Sequence, residues 1–123
     1  MQAIFTPHAP EAIGPYSQAI VHNGLVYTSG QIALNPQGIM NEGDIQAQTT
    51  QVFENLKAIL EQAGSSLQKV IKTSVFLSDM ENFGAMNAIY ATYFGDHKPA
   101  RSTIAVKTLP KNALVEIECI AAI

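Results

Sequence analysis

Two stretches near the C-terminal end concentrate the residues able to do chemistry. Pro99-Ala100-Arg101-Ser102-Thr103 sets one arginine beside two hydroxyls, and Leu114-Val115-Glu116-Ile117-Glu118 alternates two carboxylates with apolar residues. A guanidinium presents a fork of donors that can hold a carboxylate through two parallel hydrogen bonds. On a strand, Glu116 and Glu118 share a face roughly 7 Å apart. A partly buried carboxylate near Arg101 could take a proton from water or hold the water in place. A plainer reading competes: Arg101 is a surface arginine or pairs with Glu116 or Glu118, and both glutamates face solvent.

Other candidates are weaker. Tyr16, after Gly14-Pro15, can hydrogen-bond or stack on a ligand, or simply pack a loop onto a sheet. Ser29-Gly30-Gln31 ends an apolar run, where a glycine suggests a bulge or a close approach of backbone to a ligand. Cys119 alternates with Ile117, Ala121 and Ile123 and reads as a small core residue rather than a nucleophile. His8, His22 and His97 fall in expected loops or turns without catalytic spacing and are treated as surface residues. No glycine-rich phosphate loop, serine elbow or zinc-binding histidine pair occurs.

The elements that position these residues follow from periodicity. Pro7, Pro10, Gly14 and Pro15 make residues 1–18 an extended or looped arm. Ala19-Ile20-Val21 and Leu25-Val26-Tyr27-Thr28 flank His22-Asn23-Gly24, a hairpin signal. Residues 35–43 form a surface loop, and Asp44 caps a helix whose stripe runs Ile45, Val52, Phe53, Leu56, Ile59, Leu60, Ala63 and stops at Gly64. Val70–Leu77 reads as a buried strand. A second helix starts at Ser78-Asp79-Met80, carries Phe83, Met86, Ile89, Tyr90, Tyr93 and Phe94 on one stripe, with Asn87 beside it, and ends at Gly95. Strands at Thr103–Val106 and from Leu114 onward, joined through a Leu109-Pro110-Lys111-Asn112 turn, complete the order β-β-α-β-α-β-β. The expected architecture is α+β: a small mixed sheet with two helices on one face.

At 123 residues and 47% hydrophobic composition, the chain reads as a single domain, residues 1–123. Only 14% of residues are charged, against about 25% in ordinary globular proteins. With no further element to cover the second sheet face, copies of the chain are expected to cover it, in a ring of few subunits with small-molecule sites in the clefts. The net charge of −3 and scattered lysines give no basic field for nucleic acid. The lone cysteine, with no secretion signal or membrane-length apolar run, reads as cytoplasmic.

Pro99-Ala100-Arg101-Ser102-x-Ile104, Leu109 and Val115-Glu116-Ile117-Glu118 together resemble the C-terminal signature of the RidA family, also called the YjgF family. Ala12 to Gln18, Thr28 to Gln31, Gln48-Thr49, Asn55-Leu56-Lys57, Asn87 to Phe94 and Lys98-Pro99 extend the resemblance over essentially the whole chain. The resemblance implies a chorismate-mutase-like fold, a homotrimer and three sites between subunits. It also implies hydrolysis of 2-aminoacrylate and 2-iminobutanoate-type intermediates, released by pyridoxal-phosphate-dependent dehydratases, to 2-oxo acids and ammonia, without metal or cofactor. On it, Arg101 binds the substrate carboxylate and Glu116 positions or activates water. Tyr16, Ser29, Gly30, Asn87 and Thr103 line the pocket, with Thr103 standing where many RidA proteins have cysteine. Two alternatives stand beside this hydrolysis: a non-catalytic binding or regulatory protein that senses 2-oxo or imino acids in the same clefts, and a ribonuclease or translation inhibitor, an activity attributed to some members of the family.

Overall fold

The strict alternation of Val115, Ile117, Cys119 and Ala121 with Glu116, Glu118, Ile120 and Ala122 makes a strand with one fully apolar face, and this strand lies inside the sheet. The computed structural model describes residues 1–123. Strands β1 (Gln2–Ile4), β2 (Ala19–His22) and β3 (Leu25–Thr28) precede helix α1 (Ile45–Gln62). Then come β4 (Val70–Leu77), α2 (Phe83–Phe94), β5 (Ala100–Ala105) and β6 (Val115–Ala122). The six-stranded sheet runs β1-β2-β3-β6-β4-β5, antiparallel except for the β4–β5 pair. The helix α2 is the crossover that a parallel pair requires.

The expected α+β architecture is observed, with three local differences. The arm contributes a short strand: Gln2–Ile4 lies ahead of the first proline, Pro7, and pairs with β2. The second helix begins at Phe83. Asp79 caps a single tighter turn over Met80–Asn82 instead, accepting from the Glu81 N–H at 2.9 Å, because a capping carboxylate satisfies either kind of turn. β5 starts three residues earlier than its apolar run suggests. Pairing of Arg101 with Thr73 and Ser102 with Ser74 draws the polar residues into the ladder. Elsewhere the expectations hold: Asp44 Oδ1 accepts from Ala47 N–H at 2.9 Å, and Asn23 and Gly24 take the positive φ of a tight hairpin turn.

The core lies between the helices and one sheet face. Val26, Val75, Leu77, Val115, Ile117 and Ala121 meet Val52, Phe53, Leu56, Ile59 and Leu60 of α1 and Met86, Tyr90 and Phe94 of α2. Phe53 joins the two helices, stacked on Tyr93 at 4.8 Å and edge-on to Tyr90 at 5.5 Å. The opposite face carries Ile20, Tyr27, Phe76, Ile104 and Ile120, and no element of the chain covers it. Tyr27 is 41% and Ile104 51% exposed. No helix is long and apolar enough to cross a membrane.

Three buried polar side chains replace ladder bonds where the chain is irregular. Gln18 fastens the proline-rich arm: its Oε1 accepts from Thr6 N–H at 2.7 Å, and its Nε2 donates to the carbonyls of Thr6 and Pro10 at 3.1 and 2.8 Å. From α1, Asn55 donates to the carbonyls of Ile32 and Leu34, and Gln48 accepts from Leu114 N–H at 2.9 Å. These anchors set the segments on either side of Glu116. Replacing Gln18 by leucine leaves three backbone groups of the arm unpaired. We expect a loss of about 2–3 kcal/mol, read as a lower urea midpoint at unchanged m-value.

Candidate functional site

Glu116 projects from the uncovered face of β6 at a place where the neighbouring backbone has no side chain. A Cβ added at Gly30 would overlap the Glu116 carboxylate, whose Cδ would sit 2.9 Å away. The glycine is therefore a matter of space, since its φ is not in the left-handed region. Glu116 opens into a hollow of about 280 Å³ lined also by Tyr16, Gln18, Gly30, Gln31 and Lys111. Tyr16 is brought there by a turn in which its N–H bonds to the Gly14 carbonyl, its ring lying against Gly14. Partial burial raises the Glu116 carboxyl above its ordinary value, and the charge of Glu118 raises it further. Glu118 itself is exposed.

Arg101 sits on the other face. It pairs in register with Thr73, whose hydroxyl meets Tyr90 Oη at 2.8 Å beneath α2. The guanidinium lies 4.7 Å above the Tyr90 ring and 5.4 Å from that of Phe83, and donates to Asn87 Oδ1 at 2.7 Å. The aromatic faces and the amide hold the fork in one orientation, with donors left for an anion. A second hollow of about 400 Å³ opens here, lined by Asn87, Tyr90, Phe94, His97, Lys98 and Arg101 among others.

The candidate residues thus form two groups that cannot meet within one chain. Glu116 pairs with Phe76 on one pleat and Arg101 with Thr73 on the other, so the sheet itself stands between them. This removes the reading in which Arg101 pairs with Glu116 or Glu118. Tyr16 and Gly30 fall with Glu116, and Asn87 falls with Arg101. Ser29 lines neither hollow. Its hydroxyl donates to the Ser17 carbonyl and its N–H to that of Gln18, fixing the base of the loop that carries Tyr16. Thr103 shares the pleat of Arg101 two residues along β5, and its hydroxyl is buried without a hydrogen-bond partner. A buried hydroxyl so placed lacks about 1–3 kcal/mol of compensation, and Thr103 lines neither hollow.

Sequence reasoning missed the residues completing each hollow. His97 is partly buried, its Nε2 2.6 Å from the Val70 carbonyl, whereas an exposed turn was expected. Its place beside Lys98, next to the arginine stretch, is the only signal available in advance. Gln18 and Lys111 carry no such signal, since a glutamine in a proline-rich arm and a lysine in a turn are ordinary.

Two measurements test the Glu116 environment directly. Gly30→Ala forces the carboxylate out of its seat, so the carboxyl is expected to titrate closer to 4.5 by carbon-detected NMR. An acid whose pKa is raised by folding contributes stability at low pH and loses it as pH rises through the folded value. Glu116→Gln is therefore expected to raise the thermal midpoint at pH 7, with the gain vanishing as the pH falls below 4.5.

The family profile described as Endoribonuclease L-PSP matches residues 6–123. A RutC family protein of Pyrococcus horikoshii is 54% identical, the match covering 98% of this chain and 96% of the relative. The crystal structure of RidA from the Antarctic bacterium Psychrobacter superposes with a TM-score of 0.96 at 44% identity, covering 100% of both chains. That of Escherichia coli TdcF with bound serine superposes with a TM-score of 0.95 at 41% identity, covering 100% of this chain and 99% of the other. With sheet order, helix placement and nearly every residue accounted for, the chain belongs to the endoribonuclease L-PSP family, the family of the YjgF and RidA proteins.

Proposed function

We propose that this protein hydrolyses reactive imino and enamino acids, such as 2-iminobutanoate and 2-aminoacrylate, to 2-oxo acids and ammonia. The active site is a cleft between copies of the chain, where the Arg101 hollow of one faces the Glu116 hollow of the next. The observation that carries the reading is the separation of these two residues on opposite faces of one sheet. A carboxylate anchor and a water-handling carboxylate reach one small substrate only if they come from different copies. The exposed apolar face bearing Tyr27 and Ile104 gives those copies a surface to bury, and a closed homotrimer is the assembly proposed.

In the cleft, Arg101 and Asn87 hold the substrate carboxylate, with the Thr103 hydroxyl beside them. An enamine tautomerises to the imine, and protonation at nitrogen makes the imine carbon electrophilic. Glu116 takes a proton from water as its oxygen bonds to that carbon, giving a carbinolamine. The same carboxyl returns the proton to the amine, removes the hydroxyl proton as the carbon–nitrogen bond breaks, and passes that proton to the departing ammonia. The products are the 2-oxo acid and ammonium, with Glu116 again ionised. Orientation supplies most of what the reaction needs, so no metal or organic cofactor is required. Pyridoxal-phosphate-dependent dehydratases release such intermediates and are the proposed source, in the cytoplasm.

The serine bound to TdcF supports small amino-acid-like ligands in this family, which suits a non-catalytic sensor as well. The family description keeps ribonuclease activity in view, and the net charge of −3 weighs against it. Added to a threonine dehydratase reaction, the protein is expected to speed appearance of 2-oxobutanoate and ammonia beyond the solvent rate. Arg101→Ala should lower kcat/KM by at least about 30-fold, equivalent to ~2 kcal/mol. Glu116→Gln should lower kcat by about 100-fold or more while still binding ligand. Unfolding and refolding an equal mixture of the two variants should restore about a quarter of the sites, because each site draws its two residues from different copies. No acceleration by correctly assembled wild-type protein would sink the enzyme reading and leave the sensor. Cleavage of RNA at low salt would favour the ribonuclease.

A further inference from the structure

Thr73 places a hydroxyl on the inward face of β4, where Val75 and Leu77 are buried and apolar. Thr73 is itself only 1% exposed and lines neither hollow. Valine has nearly the same shape, suits a strand as well and has no polar group to satisfy. The hydroxyl is matched by a second one: Thr73 Oγ1 and Tyr90 Oη lie 2.8 Å apart, with Tyr90 also buried. Replacing both partners of such a bond by apolar groups of the same shape is nearly neutral for stability. Stability alone therefore does not account for the pair.

Its place does. Thr73 is the register partner of Arg101, and the groups that hold the Arg101 guanidinium come from α2: the Phe83 ring at 5.4 Å, the Tyr90 ring at 4.7 Å and Asn87 Oδ1 at 2.7 Å. Where the guanidinium sits thus depends on how α2 is seated on the sheet. Two side-chain hydrogen bonds join α2 to the strands. One is Arg101's own to Asn87, so the Thr73–Tyr90 bond is the one that fixes the helix independently of the arginine. Phe53 and Phe94 pack on Tyr90 at centroid distances of 5.5 and 4.8 Å, contacts that survive a small rotation, whereas a hydrogen bond fixes distance and angle together.

We propose that Thr73 is a positioning residue for the carboxylate anchor: by engaging the Tyr90 hydroxyl it seats α2 against β4, so that the Tyr90 face and the Asn87 amide hold the Arg101 guanidinium in its binding pose. This rests on the reading of Arg101 as the anchor of a hydrolytic cleft. Thr73 touches no substrate and acts through Tyr90, whose ring face serves the site while its hydroxyl is committed to Thr73.

The test compares Thr73→Val, Thr73→Ser and the double variant Thr73→Val/Tyr90→Phe. Binding of 2-oxobutanoate is measured by calorimetry, and the Arg101 Nε–H resonance, which the ring beneath it shifts upfield, by NMR. Thr73→Val leaves the Tyr90 hydroxyl buried and unpaired, so its urea midpoint should fall, and the double variant should recover most of that loss. Binding should weaken about 5- to 10-fold in both, with the upfield shift reduced in both, while Thr73→Ser keeps both near wild type. A double variant that binds 2-oxobutanoate as wild type does, with the Arg101 resonance unmoved, overturns the proposal; it also decides the matter if Thr73→Val alone does not fold. Should wild-type protein fail to hydrolyse imines, the hydrolytic reading falls, and the Arg101 resonance still decides whether Thr73 sets the pose of the guanidinium.

Discussion

Neighbouring side chains on a strand point to opposite faces, and residues paired across a ladder point to the same one. Once β6 and β5 both lie against β4, this rule assigns Arg101, Thr103 and Glu116 each to a face. Ile117 and Val75 point into the core, so Glu116 and Phe76 point away from it. Thr73 points under α2, and Arg101 beside it does the same. A slip of one residue in either pairing would bury Glu116 among Leu56 and Ile59 or turn Arg101 out beside Ile104. The core of helix and sheet side chains resists such a slip, since it would send an entire apolar set into water. The stability of the fold and the geometry of the two half-sites are thus one constraint.

The two hollows are built by different means. Around Arg101 the supports are regular elements: two aromatic rings and an amide from α2 hold the guanidinium over a strand edge. Around Glu116 the walls are irregular backbone, and buried amides of Gln18, Gln48 and Asn55 stand in for the missing ladder bonds. Gly30 then allows the carboxylate to lie against that backbone. The low charge content fits both arrangements, because neither cation nor carboxylate is neutralised by a partner within its own chain. An unpaired arginine is tolerated where aromatic faces and one amide share its field.

Several features were legible in the order of residues. Period-two alternation placed Val115 to Ala122 on a strand and put Glu116 opposite Ile117. A three-to-four residue stripe, the Asp44 cap and Gly64 bounded α1 to within a residue. Asn23-Gly24 turned the first hairpin. Each of these is a local property, settled by steric preference or by hydrogen bonds a few residues apart. The start of α2 and the extent of β5 were less legible, because a tight turn and a helical turn accept the same cap, and because pairing with β4 drew polar residues into a strand.

What the sequence determined by itself was the set of elements and the chemical types available: one arginine in a hydroxyl-rich run, alternating carboxylates, and too few charges for a fully wetted surface. Only the tertiary structure decided how they combine. The sheet order brought β6 between β3 and β4, the parallel β4–β5 pair set Arg101 under α2, and a turn pinned by Leu109 and Ala113 put Lys111 at the rim of the Glu116 hollow. Register and sheet order depend on contacts between residues tens of positions apart, and no local propensity encodes them. For that reason the sequence could name Arg101 and Glu116, and only the folded chain shows them divided by the sheet.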